Sequence, residues 1–131
     1  MFTRTLKAAG AGVALATLAV LTPATAHAEP IGWGGTIQPG QVYCFTRYAS
    51  SGVYQVRAEG DATRGGARFR FLLNRGVLQA SATDTTSWFN AERRTSLGNY
   101  PGAGTYELCA ANHSATPTLV NLHILFNNEF V

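Results

Sequence analysis

The side chains able to do chemistry are few and widely spaced. After residue 28 the chain carries two histidines, His113 and His123, two cysteines, Cys44 and Cys109, and seven acids. Hydrolysis by a nucleophile needs a base and an orienting acid beside it, and no Gly-x-Ser-x-Gly elbow is present to display a serine. His113 lies in Asn112-His113-Ser114, a loop following a strand pattern, and His123 sits on the polar side of the last strand. Both read as surface residues. Neither has the short i, i+2 or i, i+4 partner that a zinc site needs. Glu59 and Asp61 are two apart, but no third acid is near to complete a calcium loop. The acids occur singly, so no pair is nominated for glycoside chemistry, and Glu107 on the outside of a strand is no better placed than the others. No catalytic residue, metal ligand or cofactor is expected.

The cysteines point to a compartment. Arg4 and Lys7, the apolar run Ala8–Leu21 and the small-x-small site Ala26-His27-Ala28 make a bacterial-type secretory signal peptide over residues 1–28. The apolar run is too short for a membrane span and, if retained, would form a helix. Cleavage leaves 103 of the 131 residues, enough for one domain with a modest core. An even cysteine count in an exported chain favours one intramolecular disulfide. An intermolecular bridge or a reactive thiol pair are the alternatives, and no Cys-x-x-Cys motif supports the latter. Closing the 65-residue span is worth about 4 kcal/mol by loop entropy. No lipid-attachment cysteine follows the signal, and the apolar segment Leu119–Val131 is interrupted by Asn and His. The protein is expected to be secreted, extracellular, free of a membrane anchor and monomeric. Asn112-His113-Ser114 also fits the N-glycosylation pattern, but a bacterial-type signal argues against its use.

Charge excludes one partner class. The net charge of +3 includes Arg4 and Lys7; the remainder sets eight arginines against seven acids. Nucleic-acid binding needs a concentrated basic stripe, which a near-neutral chain does not supply. A smaller cluster is possible. If Val53–Glu59 and Arg68–Asn74 pair as a hairpin, Arg57, Arg68 and Arg70 project from one outer face with Glu59 near Arg68. Such a patch meets an anionic polymer or is simply solvated. The aromatics Trp33, Trp88, Phe89 and Tyr100 fall near loops, where rings either stack on sugars or cap the ends of the fold. Trp88 is the better tryptophan for binding, because Phe89 can take the inward position beside it.

These residues must be positioned by strands. Glu29–Gly40 is rich in Gly and Pro and reads as an entry segment. Val42–Tyr48, Val53–Glu59, Arg68–Asn74, Val77–Thr83, Thr86–Asn90, Arg94–Leu97, Thr105–Ala111 and Leu119–Phe126 alternate or read as short strands, with turns at 60–66, 74–76 and 101–104. This pattern predicts an all-β, antiparallel two-sheet sandwich over 41–131, jelly-roll-like, with seven to nine strands; a small barrel is the alternative. Tyr43 and Phe45, and Tyr106 and Leu108, are the inward pairs, so Cys44 and Cys109 point outward. Two outward cysteines bridge only across neighbouring strands. Strands 42–48 and 105–111 are therefore expected to be adjacent.

Gly40-Gln41-Val42-Tyr43-Cys44-Phe45, Gly52-Val53-Tyr54-Gln55-Val56, Gly102-Ala103-Gly104-Thr105-Tyr106-Glu107-Leu108 with Asn112, and Val120-Asn121-Leu122-His123-Ile124 resemble the bacterial pre-peptidase C-terminal domain across most of residues 40–126. The resemblance implies a secreted β-sandwich of a kind appended to exported proteases and other hydrolases, associated with secretion, processing or substrate attachment. It carries over no catalytic residue. Ala67-Arg68-Phe69 stands where the family often has an Asp.

The function expected is that of a small secreted, non-enzymatic binding module. It would recognise a polysaccharide, a cell-wall surface or another exported protein through Trp33, Trp88 and Tyr100, helped by Arg57, Arg68 and Arg70. The alternative is a secreted inhibitor or toxin acting on a protein through a long stiff loop at Ser81–Arg94 or Leu97–Gly104. A small hydrolase is the remote third.

Overall fold

The computed structural model describes residues 30–63, 66–82 and 84–130. The expected signal peptide lies outside them. Eight strands occur among the described residues: β1 (Gly32–Ile37), β2 (Val42–Ala49), β3 (Gln55–Ala62), β4 (Arg68–Leu73), β5 (Val77–Ser81), β6 (Trp88–Arg94), β7 (Gly104–Ala111) and β8 (Thr118–Phe126). They form two antiparallel four-stranded sheets, β1-β8-β3-β6 (sheet 1) and β2-β7-β4-β5 (sheet 2). The expected sandwich is the observed one. Its order is that of a jelly roll, because consecutive strands alternate between sheets except at the β4–β5 hairpin. The turn there holds Asn74 and Arg75 at positive φ.

Alternation decides which residues fill the core. Val56 and Ala58 of β3, Phe69, Phe71 and Leu73 of β4, and Val120, Leu122 and Ile124 of β8 face inward and are buried. Phe69 stacks on Phe89 across the sheets, and Phe71 stacks on Tyr106 of the neighbouring strand in its own sheet, each at 5.5 Å between ring centroids. The Tyr106 hydroxyl donates to the Gly102 carbonyl four residues back (2.6 Å), so the loop entering β7 is tied down by the residue it leads to.

Two segments differ from the sequence expectation for one physical reason. Gly60 was expected in a turn, yet it is an inward position within β3. A Cβ there would lie 2.5 Å from the Phe69 ring, so glycine makes room for an aromatic from the opposite sheet. Gly32, Gly34 and Gly35, expected in an entry loop, lie in β1. Cβ atoms on them would meet His123, Asn121 and Trp33, respectively, within 2.6 Å. These glycines mark close approach, not chain reversal. Likewise Arg94–Leu97 is not a strand: β6 ends at Arg94 and a 3₁₀ turn follows at Thr95–Leu97.

The open sides of the sandwich are closed by arginines at inward positions. Arg47 of β2 is buried with its guanidinium 4.3 Å from the Phe126 ring centroid. It donates to the Ile124 carbonyl (2.9 Å) and to both carboxylate oxygens of Glu129 (2.5 and 2.9 Å). On the other side Arg93 of β6 donates to the Gln79 carbonyl of β5, joining the two edge strands (2.5 Å).

Candidate functional site

The outer face of sheet 1 is a grid set by register. One row runs Gly34, Asn121, Asp61, Trp88 across β1, β8, β3 and β6; the next runs Gly32, His123, Glu59, Asn90. Trp88 is 56% exposed, since Phe89 takes the inward place beside it. Asn121 Nδ2 donates to Asp61 Oδ1 (3.1 Å), which fixes the amide and carboxylate side by side next to the indole. Asn121 Oδ1 occupies the space a side chain at position 34 would need, so the β1 end of the row is bare backbone. Farther along this face the charges are paired. Arg57 Nη1 donates to Glu59 (2.7 Å) and its Nε lies 3.6 Å from Glu92, which also binds Arg94.

The outer face of sheet 2 is built around the disulfide. Cys44 and Cys109 are direct cross-strand partners of β2 and β7, with Cα atoms 4.0 Å apart, and they are bridged. The facing argument from the sequence holds. The bridge floors a trough of about 600 Å³ whose walls include Val42, Arg68, Arg70, Leu72, Glu107 and His113. Arg68 and Arg70 are exposed, and neither forms an ion pair with a described residue. The sulfurs and Glu107 are the one cluster of three ligand-type residues among those described. With both sulfurs in a disulfide, it offers a metal only a single carboxylate.

The six expected site residues therefore divide. Trp88 projects outward as expected. Trp33 lies inward in β1 and stacks on Tyr43 at 3.8 Å, closing the seam between the two edge strands. Tyr100 packs against the core with its hydroxyl beside that of Tyr106 and without a hydrogen bond of good geometry. Burial raises the pKa of both phenols. The expected common patch of Arg57, Arg68 and Arg70 does not form. β3 and β4 belong to opposite sheets, so Arg57 is on the outer face of one and Arg68 and Arg70 on that of the other. The physical reason is that residues 60–62 continue β3 and the connection to β4 crosses between layers. Asp61 and Asn121 were not singled out from the sequence; only the register of β3 on β8 brings them together. Asn112 of the glycosylation pattern is fully buried. Its amide donates to the Ile37 and Thr116 carbonyls and accepts from Ser114, so it is a structural plug.

No family model matches the chain, and no curated protein does. A solved structure does. The pre-peptidase C-terminal domain of a collagenase from Bacillus anthracis superimposes with a TM-score of 0.55 at 12% identity, covering 72% of this chain and 87% of that one. The chain resembles a pre-peptidase C-terminal domain in fold. A de novo designed double-stranded β-helix also aligns, at a TM-score of 0.41 and 16% identity over 72% of this chain and 97% of its own. The pre-peptidase C-terminal likeness agrees with the strand motifs quoted above and concerns architecture; at this identity it assigns no residue a role.

Proposed function

We propose that this chain is a small secreted binding module that recognises a polysaccharide at the row formed by Trp88, Asp61 and Asn121. The observation that carries this reading is an indole more than half exposed on a rigid strand, beside a carboxylate and an amide already held together. The apolar face of a pyranose stacks on an indole, while hydroxyls on the ring edge hydrogen-bond to a neighbouring carboxylate and amide. Adjacent strands are about 4.8 Å apart, so stacking and hydrogen-bonding groups one strand apart suit a single sugar ring. The signal-peptide pattern and the disulfide support export. An inhibitor would need a projecting loop, but Trp88–Arg94 is strand and Tyr100 is drawn onto the core, which favours the glycan reading.

The test is depletion of the protein from solution by insoluble cell wall, chitin and cellulose. Retention on at least one, weakened on the order of tenfold by Trp88→Ala or Asp61→Ala with an unchanged melting curve, is expected. No retention on any of them, or full retention by both variants, overturns it.

A further inference from the structure

We infer that the trough over the disulfide is a second binding site, taking a carboxylate-bearing polysaccharide of the polyuronate type. This does not rest on the reading of the sheet 1 face, which lies on the opposite side of the sandwich. Among outward arginines of the strands, Arg57 and Arg94 have carboxylate partners, whereas Arg68 and Arg70 have none among the described residues. They stand two positions apart on one side of β4, about 6.7 Å from Cα to Cα, and both line the same cavity. A guanidinium pairs a carboxylate through two parallel N–H donors, so the pair can hold carboxylates on neighbouring sugars of one chain. Val42 and Leu72 give the trough apolar surface for the C–H faces of the rings, and His113 is a further donor in the lining. That lining carries no Phe, Tyr or Trp ring, and its one ring is the His113 imidazole. Single-stranded nucleic acid is held by successive bases stacking on a series of aromatic side chains, which this lining does not offer, and that sets it aside as the anion. The disulfide holds β2 and β7 in register beneath the arginines, so the site is pre-formed.

Glu107 makes the proposal specific. It is the one acid in the lining and faces the same volume as the arginines, so it opposes an anionic guest.

Binding to soluble polygalacturonate is measured calorimetrically at low salt, with uncharged dextran and inorganic polyphosphate as comparison ligands. The paired variant Arg68→Gln/Arg70→Gln is expected to lose at least tenfold in affinity, the loss expected for charge-assisted hydrogen bonds, and Glu107→Gln to gain about two- to threefold. All three substitutions are at outward positions, and the melting curves of the two variants report that folding is intact. Polygalacturonate binding that the arginine pair does not weaken, or that Glu107→Gln does not strengthen, overturns the site. Binding of polyphosphate but not polygalacturonate overturns the ligand class, and equal binding of dextran overturns the ionic basis. Loss of binding by Trp88→Ala with the arginine pair unaffected would place the ligand on the sheet 1 face instead.

Discussion

On the outer face of sheet 1, Arg57 and Arg94 share Glu59 and Glu92 in a continuous set of ion pairs; on the outer face of sheet 2, Arg68 and Arg70 stand over a trough with no such partners among the described residues. Both faces belong to the same fold and present the same residue type outward from their strands, Arg57 and Arg70 from within β3 and β4, Arg94 at the end of β6 and Arg68 at the start of β4. The fold therefore does not require the arginines to be paired. Where they are paired, their fields largely cancel locally, and the groups left to act are neutral or acidic: Trp88, Asp61, Asn121. Where they are unpaired, they leave a positive field at short range, and a few ångströms of apolar wall keep it from being wholly screened. One face suits a neutral ligand held by stacking and the other an anion.

The largest effect should come from the floor of the trough. Replacing both Cys44 and Cys109 by Ala is expected to cost about 2–5 kcal/mol in denaturant unfolding; a loss below about 1 kcal/mol would mean that the bridge does not brace the sheet 2 face. Next is the separation of the faces. Gly60→Val pushes a side chain into the Phe69 ring and should cost about 1–3 kcal/mol by the same assay. An unaffected midpoint would show that the layers are not in such contact there.

The half-buried pair of Arg47 and Glu129 provides a third point of comparison. The Arg47 hydrogen bonds, before the opposing effect of burial, hold Glu129 below its ordinary carboxylate pKa. A group depressed in the folded state stabilises above its unfolded pKa, and that stability is lost as pH falls through the folded value. Unfolding followed from neutral pH down through the acid range should show this loss. Glu129→Gln should remove it, at about 1 kcal/mol near neutral pH because its side chain is partly exposed. An unchanged pH profile would deny the pair any such role. The smallest effect contrasts the two faces directly. Glu92→Gln should cost about 0.5–1 kcal/mol by removing the carboxylate that Arg94 binds and one of the two beside Arg57, while Arg70→Gln should change stability by less than about 0.5 kcal/mol. Equal costs would erase the difference between the faces.

Alternation and turn chemistry made the sandwich legible, and the facing of Tyr43, Phe45, Tyr106 and Leu108 was enough to pair Cys44 with Cys109. What misled was glycine. At Gly32, Gly34 and Gly60 it signals a side chain arriving from a strand distant in sequence, which no local pattern contains. The hairpin expected between residues 53–59 and 68–74 failed with Gly60, and the common arginine patch failed with it. Arg47 and Arg93 were hidden for a related reason: a charge at an inward position contradicts the alternation unless its partner is known, and Glu129 and the Gln79 carbonyl are supplied by the end of the chain and by the other sheet. Of the candidate site, Trp88 was legible because its neighbour Phe89 is the natural inward residue. Asp61 and Asn121 are 60 residues apart and become a pair only through the β3–β8 register.

The central claim is that the two faces are separate sites of different electrostatic character, and the salt dependence of retention tests it most directly. The protein is applied to an insoluble neutral glycan and to an immobilised polyuronate, first in dilute buffer and then at about 1 M salt, where the Debye length is about 3 Å. The account predicts that retention on the neutral glycan survives and retention on the polyuronate collapses. If the two survive or collapse together, the faces are not separate sites.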